Sequence, residues 1–180
     1  MTKIGAKIFY KKGLTIFEQL AAETGAVEMR WDLSVSYGRL GDISQTKGDL
    51  DEAKVFYEKC LAIFEQLTAE TGAVQAQRDL AVCYNRLGNI NQAQGDLDRA
   101  KDFYEKGLAI FEQVAAKIGT IDVYDNLAIS YYNMFRVAKT LKEELEYLHK
   151  AEMLWSWMVA QCPDVPLYKN CLAVVRGHIR

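Results

Sequence analysis

The chain has 180 residues, 50% of them hydrophobic and 26% charged, and its 22 Lys and Arg nearly balance 24 Asp and Glu. Such a composition supports a globular core. The small net charge of −2 argues against a dedicated nucleic-acid binder, and no apolar stretch is long enough to span a bilayer. The N-terminal MTKIGAKIFYKKGL is basic but has no continuous apolar run and no small-residue cleavage site, so no secretion signal is read and a cytoplasmic location is expected.

Phe9, Phe56 and Phe103 head three copies of one text: FYKKGLTIFEQLAAETGAV, FYEKCLAIFEQLTAETGAV and FYEKGLAIFEQVAAKIGTI. Residues 9–55 and 56–102 agree at about 30 of 47 positions, which makes this a repeat chain. One repeat cannot bury its own apolar face, whereas stacked copies can, so the expected fold class is an all-α solenoid of antiparallel helix pairs spanning residues 1–180 as one array. Ala6 aligns with Ala53, so residues 1–24 are expected to be a second-type helix without its partner. Its uncovered face predicts a weak homodimer through residues 8–20.

Two full repeats follow, at 26–71 and 73–118. In the second helix of the first, Leu50, Ala53, Tyr57, Cys60, Phe64 and Leu67 recur at steps of three and four, one face of a helix. Asp49 and Asp96 are placed to cap these helices. Asp49 with Glu52 resembles a capping box, and Arg99 replaces the acid in the next copy. Gly25, Gly72 and Gly119 mark stops where a left-handed residue closes a helix. The first helix of the second repeat runs from about Val74 to Gln94 through Leu80, Ala81, Tyr84 and Leu87, matching Leu33, Ser34, Tyr37 and Leu40 one repeat earlier.

Residues 120–162 read as a degenerate third repeat: YDNLAISYY begins normally, then Leu-Gly becomes Met134-Phe135 and the turn loses about three residues. Phe135, Trp155 and Trp157 are read as core and cap packing. Past CPDVP, residues 165–180 are expected to form a capping helix.

At Tyr37, Leu40-Gly41, Ala53, Tyr57 and Cys60, and again at Tyr84, Leu87-Gly88, Ala100, Tyr104 and Gly107, the spacing resembles that of tetratricopeptide repeats. Gly41 and Ala53 lack bulk where two helices of a repeat cross closely. The unit departs from that family's usual ~34 residues, since 47 residues lengthen each helix, and the family's Pro at the end of the second helix is absent. Similar long repeats occur in larger bacterial signalling and regulatory proteins. A HEAT-like array is the structural alternative, and the Leu-Gly-plus-Ala pattern favours the tetratricopeptide reading. The resemblance implies a right-handed superhelix.

No catalytic constellation is visible, and a non-catalytic chain without cofactor or metal is expected. His149 and His178 have no partners at metal or triad spacing, and the carboxylates of GDLDEA suit helix capping. Cys60, Cys83, Cys162 and Cys171 form no zinc-like spacing. Cys60 and Cys83 stand where sister repeats hold Gly107 and Ser36, as small packing residues, and Cys162 with Cys171 reads as a reduced pair.

By resemblance, the first helices line a concave groove that holds a protein or peptide in extended form. The groove positions fall at Asp42 and Gln45, then at Arg78, Asn85, Asn89 and Gln92, then at Tyr132 and Arg136. Side-chain amides there can donate to and accept from a peptide backbone. The lysine-plus-asparagine clamp of chaperone-binding members is missing. The expected function is therefore a protein- or peptide-binding scaffold, with no nucleic acid or membrane partner. The alternatives are a sensor of a short signalling peptide and a self-assembly module or fragment of a larger regulator.

Overall fold

The computed structural model describes the backbone of residues 3–179 and the side chains of residues 13–179. Among the described residues, eight α-helices follow one another and no strand occurs: α1 (Lys3–Thr24), α2 (Val27–Thr46), α3 (Leu50–Thr71), α4 (Val74–Ala93), α5 (Leu97–Ile118), α6 (Ile121–Phe135), α7 (Leu141–Gln161) and α8 (Pro166–Ile179). Each helix packs on its neighbours in the chain, and α4 also touches α6. This is an all-α solenoid, built by nearest-neighbour packing.

Helix boundaries follow the local chemistry. Gly72 and Gly119 adopt left-handed φ values of 60° and 48°, and their N–H groups donate to the Thr68 and Ala115 carbonyls. Asp49 accepts from the Glu52 N–H at 3.1 Å, and Asp96 accepts from the Arg99 N–H at the same distance. The side-chain-to-backbone half of the cap is thus general. The Glu52 carboxylate turns instead to the Ser44 hydroxyl at 2.6 Å.

The core runs along the stack as a series of linked clusters. Leu33, Tyr37, Cys60, Phe64, Leu67, Leu80 and Cys83 are buried in one, against which Leu14, Phe17 and Ala21 of α1 pack. Ile16 and Leu20 remain exposed on the other side of α1. The expected homodimer face, residues 8–20, lies partly outside the described side chains, which begin at residue 13. In the third unit, α6 has 15 residues against 20 in α2 and α4. Buried Trp155 donates its indole N–H to Asp125 at 3.0 Å, and Trp157 stands edge-on to Tyr124. Leu172 and Val175 of α8 close on the cluster that contains Trp155 and Met158.

Side chains at matching positions tie the two helices of a repeat to each other and one repeat to the next. Arg30 pairs with Glu70 across α2 and α3. The same two positions 47 residues later hold Gln77 and Lys117, joined at 3.3 Å. A further ladder is near-identical in three units: Tyr37 donates to Glu18, Tyr84 to Glu65 and Tyr131 to Glu112, at 2.5, 2.9 and 2.8 Å. Lys59, Lys106 and Lys150 lie over the three tyrosine rings.

Candidate functional site

Two polar brackets recur along the first helices. In one, the Tyr57 hydroxyl donates to Asp42 Oδ1 at 2.8 Å and lies 3.0 Å from Gln45 Oε1. Arg86 of the next repeat donates to Asp42 Oδ2 at 2.9 Å, with its guanidinium 5.5 Å from the Tyr57 ring centre. In the other, Tyr104 donates to Asn89 Oδ1 at 2.7 Å and lies 3.2 Å from Gln92 Oε1. Arg136 donates to Asn89 at 3.4 Å, and Gln92 returns an amide N–H to the Arg136 carbonyl at 3.4 Å. Burial pushes the Tyr104 phenol up to about 12 against the Arg136 charge, and burial with the Asp42 carboxylate raises Tyr57.

The other positions expected on the groove wall stand apart from these brackets. Asn85 is buried, 8% exposed, and donates to the Ser130 hydroxyl at 2.9 Å, while its Oδ1 has no partner. The expectation of an outward-facing amide at Asn85 is corrected: Gly107 leaves a space on α5 and the side chain turns into it, its Oδ1 only 2.9 Å from where a glycine Cβ would stand. Arg78 pairs with Asp122 and donates to Gln75 at 3.2 Å, so it bridges α4 to α6. Tyr132 sits at the C-terminal end of the stack among Phe135, Trp155 and His178, its hydroxyl 3.4 Å from His178 Nε2.

Between α2, α3 and α4 lies a cavity of about 210 Å³, lined by Ser34, Val35, Arg39, Cys60, Phe64, Asp79, Val82, Cys83 and Arg86. Arg39 is exposed and makes no hydrogen bond or ion pair among the described residues. Burial raises the Asp79 carboxyl, opposed by the Gln75 amide at 3.2 Å and by the charges of Arg78 and Arg86. A second cavity, about 240 Å³, lies between α6, α7 and α8, lined by Ile129, Tyr132, Trp155, Asn170, Cys171, Val174 and Val175. Val35 and Ile129 hold the same repeat position and are 43% and 38% exposed, so an apolar side chain faces outward twice without serving the core. The recurrence of Val35, Val82 and Ile129 at intervals of 47 marks this stripe in the sequence.

Among the described residues, no helix is long and apolar enough to cross a membrane, and no group of three or more His, Cys, Asp or Glu could hold a metal ion.

A tetratricopeptide repeat family model matches residues 32–94, and a second tetratricopeptide repeat model matches residues 80–115. No curated protein sequence matches the chain significantly. Among solved structures, the chain is similar to the yeast histone chaperone Hif1, described as a scaffold protein recruiting protein complexes to core histones. The identity is 13% and the TM-score 0.57, over 99% of this chain and 96% of that one. It is also similar to the C-terminal TPR-containing domain of a Plasmodium falciparum protein described as FK506-binding, at 18% identity and TM-score 0.46, over 86% and 93% of the two chains. The matched models, the paired helices and the Gly41–Tyr57 and Gly88–Tyr104 crossings together show that residues 32–115 are built of tetratricopeptide repeats.

Proposed function

We propose that this protein is a non-catalytic scaffold that holds a protein or peptide segment along the face formed by α2, α4 and α6. The observation that carries the reading is the cavity between α2, α3 and α4, where the unpaired Arg39 guanidinium stands beside the outward-facing Val35. An extended ligand would set an acidic group against Arg39 and a small apolar group against Val35. The brackets at Asp42, Gln45, Asn89, Gln92 and Arg136 supply further donors and acceptors, since each amide retains capacity beyond its bond to tyrosine. The second, apolar cavity at Ile129 and Tyr132 gives the same ligand an apolar anchor further along. Asn85 and Arg78 support the wall from within and are not assigned contacts.

Peptide-array panning with the full chain tests this. Binders should weaken about tenfold or more, a loss of ~1.4 kcal/mol, on Arg39→Ala or Asn89→Ala, and should be unchanged by Lys142→Ala on α7. Equal binding by all three variants would place the contact elsewhere. A second reading, self-association through α1, is favoured by the exposure of Ile16 and Leu20 at 57% and 37%. Sedimentation across a concentration series tests it: a monomer throughout would remove that reading, and a dimer lost on Ile16→Glu would support it.

A further inference from the structure

The two junctions flanking α4 solve one packing problem with different residues. Between α4, α5 and α6, Gly107 makes room for Asn85, whose amide reaches Ser130 at 2.9 Å. One repeat earlier, the positions equivalent to Asn85, Gly107 and Ser130 hold Gly38, Cys60 and Cys83. There the Arg86 guanidinium occupies the space beside Gly38, with Nη1 2.8 Å from where a Cβ would stand. The two thiols meet at 2.9 Å, sulfur to sulfur. A glycine and a serine fill the corresponding place in the other junction, so packing alone does not call for two cysteines. Both thiols are buried, yet both line the 210 Å³ cavity, with exposed Val35 and Arg39 also on its wall.

From this geometry we propose that Cys60 and Cys83 form a redox modification site, which hydrogen peroxide converts to a disulfide tying α3 to α4 on the floor of the cavity. The Cys60 thiolate attacks one peroxide oxygen; an S–O bond forms, the O–O bond breaks, and the leaving hydroxide takes up the proton that Cys60 released to depart as water. The Cys83 sulfur then attacks the Cys60 sulfenic acid. The S–S bond forms, the S–O bond breaks, and the second water carries away the Cys83 proton. Two thiols are oxidised and one peroxide is reduced to two waters.

The order of attack follows from the surroundings. The hydrogen bond from Cys83 holds the Cys60 thiol below the usual thiol range despite its burial, and the Arg86 charge adds to this while Asp79 opposes it. Cys83 is raised by donating that bond and by burial, which suits the resolving role. Nothing in the site needs a bound partner, so it stands whether or not the groove reading does.

The test treats the native full-length chain with hydrogen peroxide, then counts alkylatable thiols and maps crosslinked peptides by mass spectrometry. The Cys162→Ser/Cys171→Ser variant should lose both remaining thiols and yield a Cys60–Cys83 peptide, reversed by dithiothreitol. Cys60→Ser in that background should leave Cys83 alkylatable. Retention of both thiols, or oxidation to sulfinic acid without a crosslink, would overturn the proposal. The first variant leaves the pair and its junction untouched, so misfolding of Cys60→Ser would not obscure the result.

Discussion

Gly88 and Tyr104 share one space: a Cβ on Gly88 would lie 2.5 Å from the Tyr104 ring Cδ1, and Gly41 stands in the same relation to Tyr57, at 2.6 Å. The missing methyl lets α4 and α5 approach until the tyrosine hydroxyl reaches Asn89.

Gly88→Ala should therefore destabilise the chain by about 1–3 kcal/mol, the usual cost of overpacking, even though alanine is the better helix former. Gly177→Ala, in a helical position with nothing within 4 Å of the added Cβ, should be neutral or stabilise by up to about 1 kcal/mol. Urea unfolding midpoints separate the two. Equal effects would mean that the helix crossing does not depend on the glycine.

Stability should fall at alkaline pH. Burial pushes the Tyr104 phenol up to about 12, and burial with the Glu65 hydrogen bond does the same for Tyr84. Unfolded tyrosines ionise near pH ~10, so above that point the unfolded state sheds protons first. The stabilising contribution is fully present below about pH 10 and declines as pH rises toward about 12. Urea midpoints across this window should drop, and less steeply in Tyr84→Phe/Tyr104→Phe. A flat profile in the wild type would contradict the burial of these hydroxyls.

Asn85 and Asn89, one helical turn apart, should behave differently. Asn85→Ala removes a buried amide that holds Ser130 and leaves a gap beside Gly107, costing about 1–3 kcal/mol. Asn89→Ala removes a partly exposed acceptor of Tyr104 and, at 3.4 Å, of Arg136, and should cost about 1 kcal/mol or less. Chemical denaturation of the two single variants distinguishes these outcomes, and a larger loss at Asn89 would reverse the assignment.

Asp49→Ala and Asp96→Ala should each cost about 1 kcal/mol, because each carboxylate accepts the N–H three residues on. The Arg99 side chain is not needed for this, so Arg99→Ala should be nearly neutral in thermal melts. A large loss from Arg99→Ala would show that the side chain contributes more than its backbone N–H.

The solenoid, the aspartate caps and the left-handed glycines were legible because each depends on residues within one repeat, and the repeat is written more than once. The direction of Asn85 was not, because it is set by the absent side chain of Gly107 and by Ser130 in the following unit. Asn89 and Asn85 look alike on a helical wheel, and only the neighbour facing each decides which is buried. The Cys60–Cys83 contact was hidden for the same reason: the residues lie on different helices and each, taken alone, reads as a small filler.

Near-identical units carry a hazard of their own, since a helix can dock on the wrong copy during folding. The ties between the two helices of each repeat work against that error. Arg30 faces Glu70 and Gln77 faces Lys117 at equivalent positions. Were α5 to take the place of α3 beside α2, Arg30 would meet Lys117, cation against cation, and Glu70 would be left without its arginine. Two side-chain exchanges thus write an order of assembly into a text that otherwise repeats itself.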